Sequence, residues 1–393
     1  MRRLLVHRMQ GFGTTVFAEM SALALRTGSV NLGQGFPDTD GPAAMVEEHV
    51  RGLRAGLNQY PPGPGLPVLR QAVASHQQRH YGITLDPDSQ VLVTVGATEA
   101  IAASVLALVE PGDEVLLVEP YYDSYAASVA LAGGVRRAVP LRRDGAGLRL
   151  DVADLRAALT DRTRLLLLNT PHNPSGTVLT ETELRDVAAF CIEHDLLVLS
   201  DEVYEHLVYD GLRHLPIATL PGMAERTLTI SSAAKTYSVT GWKTGWVTGP
   251  AELVRAVQTV KQFLTFVAHG AAQSAVAHAL EHEQAWVTAL AASLGERRTL
   301  LADGLRACGL EVLRSDATYF LQADVASLGW RSGTDFARAL PERAGVVCIP
   351  TEAFCDSDVG ATLVRFAFCK QDSVLVEAVD RLAAADLAWS GSA

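Results

Sequence analysis

With 393 residues, the chain is long enough to bury a large core, and its 48% hydrophobic and 20% charged residues are ordinary for a globular enzyme. The formal net charge of -11 disfavours nucleic acid as the main partner, because phosphate binding needs a basic surface. Scattered cysteines without CxxC spacing and the lack of a long apolar run lead us to expect a reducing, cytoplasmic setting, no membrane span and no metal site.

Short apolar runs alternate with helical patterns through the middle of the chain. The strand-like runs are VLVTV, VLLVEP, RLLLLNTP, LLVLSDE, RTLTISS and GWVTG. Continuous apolar strands separated by helices indicate an α/β domain with a largely parallel, buried sheet. Towards the C-terminus, a long helical pattern, AWVTALAASLGERRTLLADGLRACG, precedes EVLRS, TYFLQAD and ATLVRFAFCK. This part predicts a smaller α+β domain, with the boundary near residue 290 inside a helix.

The run TVGATEAIAAS leaves the first of these strands, turns at Gly96 and is expected to enter a helix at Thr98. Backbone N–H groups at the start of a helix can bind a phosphate, and a threonine hydroxyl adds a donor. Thr98 could equally be an ordinary N-cap, which is the interpretation that this run favours when it is taken alone.

Two further polar residues follow buried strands. Asn173 lies in NTPHNPSG, where prolines and a glycine fix an irregular turn, so it is either part of a well-formed loop or an amide directed into a crevice. Asp201 ends LLVLSDE, and ligands of open α/β sheets bind beyond the carboxyl ends of strands. Asp201 could cap a helix, or it could be the counter-ion of a bound cationic ring.

The stretch SSAAKTYSVTGWKTGW contains two lysines, Lys235 and Lys243, and no acidic residue. A lysine amine can form a Schiff base with an aldehyde cofactor. Pyridoxal 5'-phosphate needs such a lysine, a phosphate site and a carboxylate beside its pyridine nitrogen. Lys235 could be the Schiff-base lysine, and Asp201 could be the carboxylate beside the pyridine nitrogen. The phosphate site could be built from Lys243, Ser232 and the amides of Ala97 and Thr98.

In this light the chain resembles the fold-type I pyridoxal-phosphate-dependent aminotransferases of classes I and II over nearly its whole length. The motifs that carry the resemblance, in family order, are NLGQGFPD, NQYPPGPG, TVGATEA, EPYYDSY, NTPHNPSG, SDEVYE, SSAAKTYSVTGWKTGW and LVRFAFCK. The resemblance implies a large α/β domain with a mostly parallel mixed sheet and a smaller α+β domain. We expect an N-terminal arm and part of the small domain at 1–45, the cofactor-binding domain at 46–290, and the rest of the small domain at 291–393.

The chain resembles two branches of the family, each in different motifs. NLGQGFPD, and GWK in place of the commoner GWR, resemble the branch of kynurenine/glutamine aminotransferases and cysteine-conjugate lyases. TTVFAEMSALA with NQYPPGPG and SSAAK resembles bacterial members assigned as N-succinyldiaminopimelate aminotransferases. Lys243 lacks the two-pronged donor of an arginine but keeps the positive charge, and the first branch commonly has lysine there.

The resemblance also implies roles for cofactor-binding residues. Lys235 carries the cofactor and moves the proton between substrate Cα and cofactor C4′, and Asp201 pairs with the pyridinium. Tyr204 and Asn173 hydrogen-bond the ring hydroxyl, and Tyr122 stacks on the ring. The phosphate is held by Ala97, Thr98, Ser232 and Lys243, together with Tyr60 from a second subunit.

For the substrate, the resemblance implies that Arg365 binds the α-carboxylate with help from Gly35 and Asn173. The side-chain pocket is expected to be lined by Phe17, Tyr125 and His269. The implied enzyme is a homodimer with shared active sites, and it moves an amino group from an L-amino acid to a 2-oxo acid, such as 2-oxoglutarate, with ping-pong kinetics. Candidate donors are N-succinyl-LL-diaminopimelate, whose extra carboxylates need cations, and aromatic, methionine-like or glutamine-like amino acids.

Three alternatives remain open at this point. A β-lyase acting on cysteine S-conjugates would use the same residues and would release pyruvate without an oxo-acid acceptor. A cofactor-binding transcription regulator is disfavoured, because NLGQGFPD begins at Asn31, which leaves little room for a DNA-binding domain, and because the chain is acidic. A decarboxylase or oxidase is compatible with the same motifs.

Overall fold

The computed structural model describes residues 5–389 of the chain, so residues 1–4 and 390–393, the outer ends of the predicted segments 1–45 and 291–393, lie outside it. The helices are α1 Val16–Thr27, α2 Ala43–Arg54, α3 Pro67–Tyr81, α4 Gly96–Leu108, α5 Asp123–Ala132, α6 Val152–Ala158, α7 Glu181–Glu193, α8 Ala233–Thr236, α9 Ala251–Lys261, α10 Gly270–His282, α11 Gln284–Ala307, α12 Gly333–Ala344 and α13 Asp372–Ala383. The strands are β1 Val30–Asn31, β2 Val91–Thr94, β3 Glu114–Glu119, β4 Val135–Pro140, β5 Arg142–Asp144, β6 Gly147–Arg149, β7 Thr163–Asn169, β8 Leu197–Asp201, β9 Thr227–Ser232, β10 Gly245–Thr248, β11 Glu311–Val312, β12 Phe320–Asp324, β13 Val346–Val347, β14 Ile349–Pro350 and β15 Leu363–Ala367.

The central sheet has seven strands in the order β2-β10-β9-β8-β7-β3-β4. Strand β10 runs antiparallel to both of its neighbours, and the other neighbouring pairs are parallel. Every residue of β2, β3 and β9 is buried, as expected for strands covered by helices on both faces. The prediction of a mostly parallel mixed sheet in an α/β fold is confirmed.

A second, antiparallel sheet has the order β11-β12-β15-β14. Near it, β1 pairs in parallel with β13, which joins Val30 to Val346, so the N-terminal segment packs with the C-terminal part of the chain. One hydrophobic cluster contains Met20 and Leu32 together with Phe320 and Phe366. Helix α11 runs through residue 290, and the exact division into domains stays a prediction. Among residues 5–389, no helix is both long and apolar enough to cross a membrane.

Several polar residues meet at one edge of the central sheet because parallel strands end there together. Asn169 ends β7 beside Asp201, which ends β8, and Ser232 ends β9. Strand β10 starts on the same edge, where Gly245 pairs with Ser232 on one side and Thr94 on the other. A Cβ on Gly245 would lie 2.7 Å from the carbonyl carbon of Gly96, so only glycine allows this close approach.

Candidate active site

A cavity of about 310 Å³ opens at this edge of the sheet. The predicted site residues that line it are Phe17, Gly35, Ala97, Thr98, Tyr122, Tyr125, Asn173, Asp201, Tyr204, Ser232, Lys235, Lys243 and Arg365. These residues come from the carboxyl ends of strands, the start of α4, the N-terminal segment and β15, so the fold brings together motifs that lie far apart in the chain.

Lys235 lies in the short helix α8, directly after β9. Its Nζ donates a hydrogen bond of 2.8 Å to Tyr319 Oη. Burial lowers the pKa of Lys235 to about 8, and the positive charges of Arg365 and Lys243 act in the same direction. Roughly a tenth of the side chains with such a pKa are neutral amines at pH 7. A neutral amine is the form that attacks an aldehyde.

Asp201 is 4% exposed and receives two hydrogen bonds. Tyr125 Oη donates to Oδ2 at 2.6 Å, and the backbone N–H of Val203 donates to Oδ1 at 3.3 Å. Burial raises the pKa of Asp201 to about 6, and these hydrogen bonds limit the rise. The chain after β8 forms turns, so Asp201 caps no helix, and the alternative that assigned it to a helix N-cap is wrong. A buried carboxylate of this kind is suited to pair with a cationic ring nitrogen.

Arg365 is 2% exposed, and neutral groups accept its hydrogen bonds. Its Nη1 donates to Asn173 Oδ1 at 3.1 Å and its Nη2 to the carbonyl of Gly33 at 2.9 Å. The guanidinium carbon lies 4.0 Å from the ring centre of Phe320, and Nε has no hydrogen-bond partner within residues 5–389. Burial lowers the pKa of Arg365 to about 10, so it stays cationic at neutral pH. A buried cation with an unused donor is suited to a carboxylate ligand.

The start of α4 forms an anion-binding corner with Lys243. Residues Gly96, Ala97 and Thr98 are the first three of the helix, whose free N–H groups carry partial positive charge. Lys243 Nζ would lie 3.5 Å from a Cβ on Gly96, so the ammonium sits beside this helix end. Ser232 is the N-cap of α8, and its side chain makes no capping hydrogen bond to that helix, so its hydroxyl can serve a ligand. Val95 is the N-cap of α4, so the alternative that made Thr98 the N-cap is wrong.

Comparison with known proteins gives the same assignment as the geometry. The family model for aminotransferase class I and II matches residues 27–382. The chain belongs to the class I and II aminotransferases. The aminotransferase is 55% identical over 386 residues to a Mycobacterium tuberculosis protein named "Probable N-succinyldiaminopimelate aminotransferase DapC", covering 96% of this chain and 97% of that protein.

A second relative and a solved structure support the same family. The methionine aminotransferase of Escherichia coli is 39% identical over 375 residues, covering 95% of this chain and 97% of that protein. Among solved structures, the N-succinyldiaminopimelate aminotransferase of Mycobacterium tuberculosis superposes with a TM-score of 0.95 at 56% identity, covering 97% of this chain and 99% of that chain.

Aminotransferases of this family use pyridoxal 5'-phosphate, and the cavity of this aminotransferase fits that cofactor. It presents a lysine amine of lowered pKa, a buried carboxylate and an anion-binding corner, which match the aldehyde, the pyridine nitrogen and the phosphate. The predictions of the family, of the aminotransferase activity and of the cofactor are confirmed.

Two predicted residues lie outside the lining of this cavity in the single chain. Tyr60 is 81% exposed, and its ring packs against that of Phe266 with centroids 5.3 Å apart. His269 is the N-cap of α10, and its Nδ1 accepts a hydrogen bond of 3.3 Å from the backbone N–H of Ala272. A capping role accounts for the position of His269, and its assignment to the side-chain pocket stays a prediction.

Sequence reasoning missed several residues that line the cavity or support it. Tyr319 Oη accepts from Lys235 and donates to the carbonyl of Gly35 at 2.6 Å. Asn169 donates to the carbonyl of Asp201 at 2.9 Å and accepts from the backbone N–H of Asn173 at 2.7 Å. Asn169 shows the same signal as Asp201, a polar residue at the carboxyl end of a buried strand, and could have been found. Tyr319 has no such signal, because TYFLQAD looks like any core strand.

Proposed function

We propose that this aminotransferase transfers the α-amino group of N-succinyl-LL-diaminopimelate to a 2-oxo acid, with 2-oxoglutarate as the acceptor. The observation that carries this proposal is the similarity to the Mycobacterium tuberculosis protein of that name, which extends over nearly the whole of both chains. The buried Arg365 supports the general part of the proposal, since a cation with neutral partners is available for the α-carboxylate that all amino acids share.

A second donor class has a specific observation in its favour. Phe17, Phe36 and Phe320 line the cavity, and this apolar surface suits an aromatic or methionine-like side chain. The relative named methionine aminotransferase supports the same class. The cysteine-conjugate lyase alternative is not favoured, because the relatives from Mycobacterium tuberculosis and Escherichia coli carry aminotransferase names.

The proposed roles follow from charge and position. When bound, pyridoxal phosphate supplies an electron sink for the negative charge that develops at substrate Cα. Arg365, with Asn173 and Gly35, holds the substrate carboxylate and so fixes the orientation of the Cα–H bond. Lys235 holds the cofactor and, as a neutral amine, takes the proton from Cα and returns it at cofactor C4′. Its pKa of about 8 lies near neutral pH, as suits a base that both accepts and returns a proton.

The remaining residues hold the cofactor. Asp201 keeps a proton on the pyridine nitrogen, and Tyr125 orients its carboxylate through the hydrogen bond of 2.6 Å. Tyr204 and Asn173 bind the ring hydroxyl and Tyr122 covers the ring. The groups proposed for the phosphate are the amides of Ala97 and Thr98, the hydroxyl of Ser232, the ammonium of Lys243 and Tyr60 of a partner subunit.

We propose a homodimer with shared active sites in the cytoplasm. The segment around Phe263 and Phe266 is apolar and exposed, with Phe263 82% exposed, and Tyr60 packs against it. A large exposed apolar patch of this kind is typical of a subunit interface. The cytoplasmic location is supported by the five cysteines, all of which are free thiols. The acidic net charge of -11 supports small molecules rather than nucleic acid as partners.

A half-reaction screen tests the donor. The holoenzyme is mixed with a single amino donor and no oxo acid, and the loss of the cofactor's aldehyde-form absorbance gives a single-turnover rate. The single-turnover rate divided by the donor concentration should be at least about tenfold higher for N-succinyl-LL-diaminopimelate than for methionine, phenylalanine, kynurenine or glutamine. Unsuccinylated diaminopimelate is the matched control. Faster turnover of methionine or an aromatic donor would show that the second donor class is correct. Release of pyruvate from a cysteine conjugate without an oxo acid would instead support the β-lyase activity.

A further inference from the structure

Three histidines gather on the large domain away from the lining of the cofactor cavity. His76 and His80 lie one turn apart on α3, and His206 lies in the turns that follow β8. The nitrogen atoms that they offer all lie within 4.8 Å of one another. His76 is buried, His206 is partly buried and His80 is exposed, so the cluster runs from the core to the surface.

The three imidazole rings are in mutual contact, and their nitrogens converge. His76 Nε2 and His206 Nε2 are 2.7 Å apart, a hydrogen-bond distance. The ring centroids of His76 and His80 are 4.5 Å apart, and those of His80 and His206 are 4.9 Å apart. A neutral imidazole carries one N–H and one lone pair, so three converging rings cannot satisfy all their facing nitrogens by sharing protons.

We propose that His76, His80 and His206 form a binding site for a late first-row divalent metal ion, with Zn²⁺ as the expected occupant. Zn²⁺ binds imidazole nitrogens at about 2.0–2.1 Å in tetrahedral geometry, which places ligand atoms roughly 3.3 Å apart. The Nε2 atoms of His76 and His206 are 2.7 Å apart and all the offered nitrogens lie within 4.8 Å of one another, so small side-chain movements would bring them to this spacing. His80 is exposed, which leaves room for such a movement. Its position at the surface also leaves a fourth coordination place open to water. Three imidazoles favour zinc, copper, nickel or cobalt over magnesium or calcium, which prefer oxygen ligands.

Surrounding groups support a cation at this place. Glu205, adjacent to His206, is buried, and its carboxylate accepts from Tyr81 Oη at 2.7 Å and from Ser231 Oγ at 2.5 Å. Neither donor carries a charge, so the negative charge of Glu205 favours a cation bound beside it.

Gln77 supplies a second supporting contact. Its side-chain amide lies 3.4 Å from His76 Nδ1, and its Oε1 is buried without a hydrogen-bond partner within residues 5–389. Amide oxygen and nitrogen exchange places by rotation of the side chain. With the oxygen turned towards His76, Gln77 accepts from Nδ1–H and leaves the Nε2 lone pair for the metal. Metal-binding histidines are commonly held by such an acceptor.

An ion bound here would link α3 to the end of β8 and the segment after it, which carry the cavity residues Asp201 and Tyr204. His206 lies two positions after Tyr204. Glu205 accepts a hydrogen bond from Ser231, which is next to Ser232 in the chain. The site would therefore stabilise the large domain on the side of the sheet that supports the cofactor. Because a ligand that binds only the folded state stabilises it by mass action, thermal unfolding should shift upwards with added Zn²⁺.

The test uses tag-free holoenzyme, stripped of metal with a chelator and titrated with Zn²⁺ in competition with a chromophoric chelator. We expect one ion per chain in the wild type and an affinity at least about 100-fold lower in His80→Ala, since even outer-shell changes cost about 10–100-fold. His80 is exposed, so its loss should leave folding intact. His206→Gln removes a second ligand and should give the same loss.

The matched control is His282→Ala. His278 and His282 are also one turn apart, on α10, with ring centroids 4.7 Å apart, but they belong to no group of three ligands within residues 5–389. This variant should keep wild-type affinity and the wild-type shift in unfolding temperature. Equal Zn²⁺ affinity in the wild type and His80→Ala, or no binding in either, overturns the site. So does a thiolate charge-transfer band in the spectrum of the Co²⁺ form, because it would place cysteines at the metal.

Discussion

Lys235 Nζ and Tyr319 Oη are joined by a hydrogen bond of 2.8 Å, and the same hydroxyl donates to the carbonyl of Gly35 at 2.6 Å. Lys235 follows a strand of the central sheet, whereas Tyr319 immediately precedes β12 of the second sheet. The contact therefore fixes the reactive amine relative to the N-terminal segment and the smaller sheet. A phenol that accepts from the amine and donates elsewhere can hold the amine in place in either of its protonation states.

Tyr319→Phe should lower kcat by about tenfold or more, because a hydrogen bond to a charged group contributes about 1.5–3 kcal/mol. The loss of this acceptor should also lower the pKa of the Lys235 amine. That amine is free only after substrate has bound to the cofactor, so the pH profile of kcat, which reports the substrate complex, should shift towards lower pH. Tyr209→Phe is the matched control, since the hydroxyl of Tyr209 donates to the carbonyl of Thr318 and leaves Lys235 untouched. Equal effects in both variants, with no shift in the pH profile, would mean that Tyr319 only packs.

The lowered pKa of Lys235 predicts the pH dependence of cofactor uptake. The amine must be neutral to react, and with a pKa of about 8 it loses its proton as the pH rises through that value. Uptake of pyridoxal phosphate by the apoenzyme should therefore accelerate from pH 6 to about 8 and then level off. Stopped-flow absorbance of the bound cofactor measures this rate. A rate that still climbs steeply above about pH 9.5 would show an ordinary lysine pKa.

The Tyr125 hydroxyl should control the protonation of Asp201. Burial raises the pKa of Asp201 to about 6 and the Tyr125 hydrogen bond limits the rise, so Tyr125→Phe should raise it further. In the proposed site the carboxylate is the form that pairs with the cofactor. The apoenzyme's affinity for the cofactor should therefore fall as the pH drops through about 6, and at a higher pH in the variant. Equilibrium dialysis measures this affinity.

Asp201→Asn is the comparison for that experiment. Its cofactor affinity should lack the pH dependence, and its single-turnover rate should fall by more than about tenfold, since an amide cannot stabilise a charged pyridine nitrogen. Retention of the pH dependence in Asp201→Asn would assign the titration to another group.

Arg365→Ala should weaken every substrate that carries an α-carboxylate by about 10- to 100-fold in kcat/KM, whatever its side chain. Amines without a carboxylate are the internal control and should react at the wild-type rate. Arg365→Lys should recover part of the loss, because it keeps the charge but not the paired donors. A loss confined to one class of side chain would place Arg365 in the specificity pocket instead.

Mixed dimers test whether Tyr60 serves a partner subunit. Lys235→Ala and an inactive Tyr60 variant are refolded together, so that about half of the dimers contain one chain of each. One site of each mixed dimer then combines Lys235 from one chain with Tyr60 from the other, and roughly one quarter of all sites should recover activity. Either variant refolded alone is the control. No recovery in the mixture would show that Tyr60 acts within its own chain.

Local sequence patterns predicted the architecture and the polar residues near the strand ends, whereas the family resemblance implied the other predicted residues of the cavity, which are Phe17, Gly35, Tyr122, Tyr125, Tyr204 and Arg365. Short apolar runs that alternate with segments of helical apolar spacing are enough to predict a buried parallel sheet. The side-chain periods of strands and of helices both follow from backbone geometry. Asp201, Asn173 and Lys235 stand at or just beyond the carboxyl ends of strands, and such ends meet at one edge. Their meeting is therefore predictable without coordinates. The substrate is not, since no local pattern in the chain specifies the shape of the pocket.

Tertiary structure alone decided the contacts that tune these residues. Tyr125 reaches Asp201 across 76 positions of the chain, Lys235 reaches Tyr319 across 84, and Arg365 reaches Asn173 across 192. The His76–His206 pair spans 130 positions. The sequence determines that these polar residues exist on their elements, but burial and neighbouring charge set their pKa values and partners. Both depend on how distant elements pack, which periodicity and spacing do not encode.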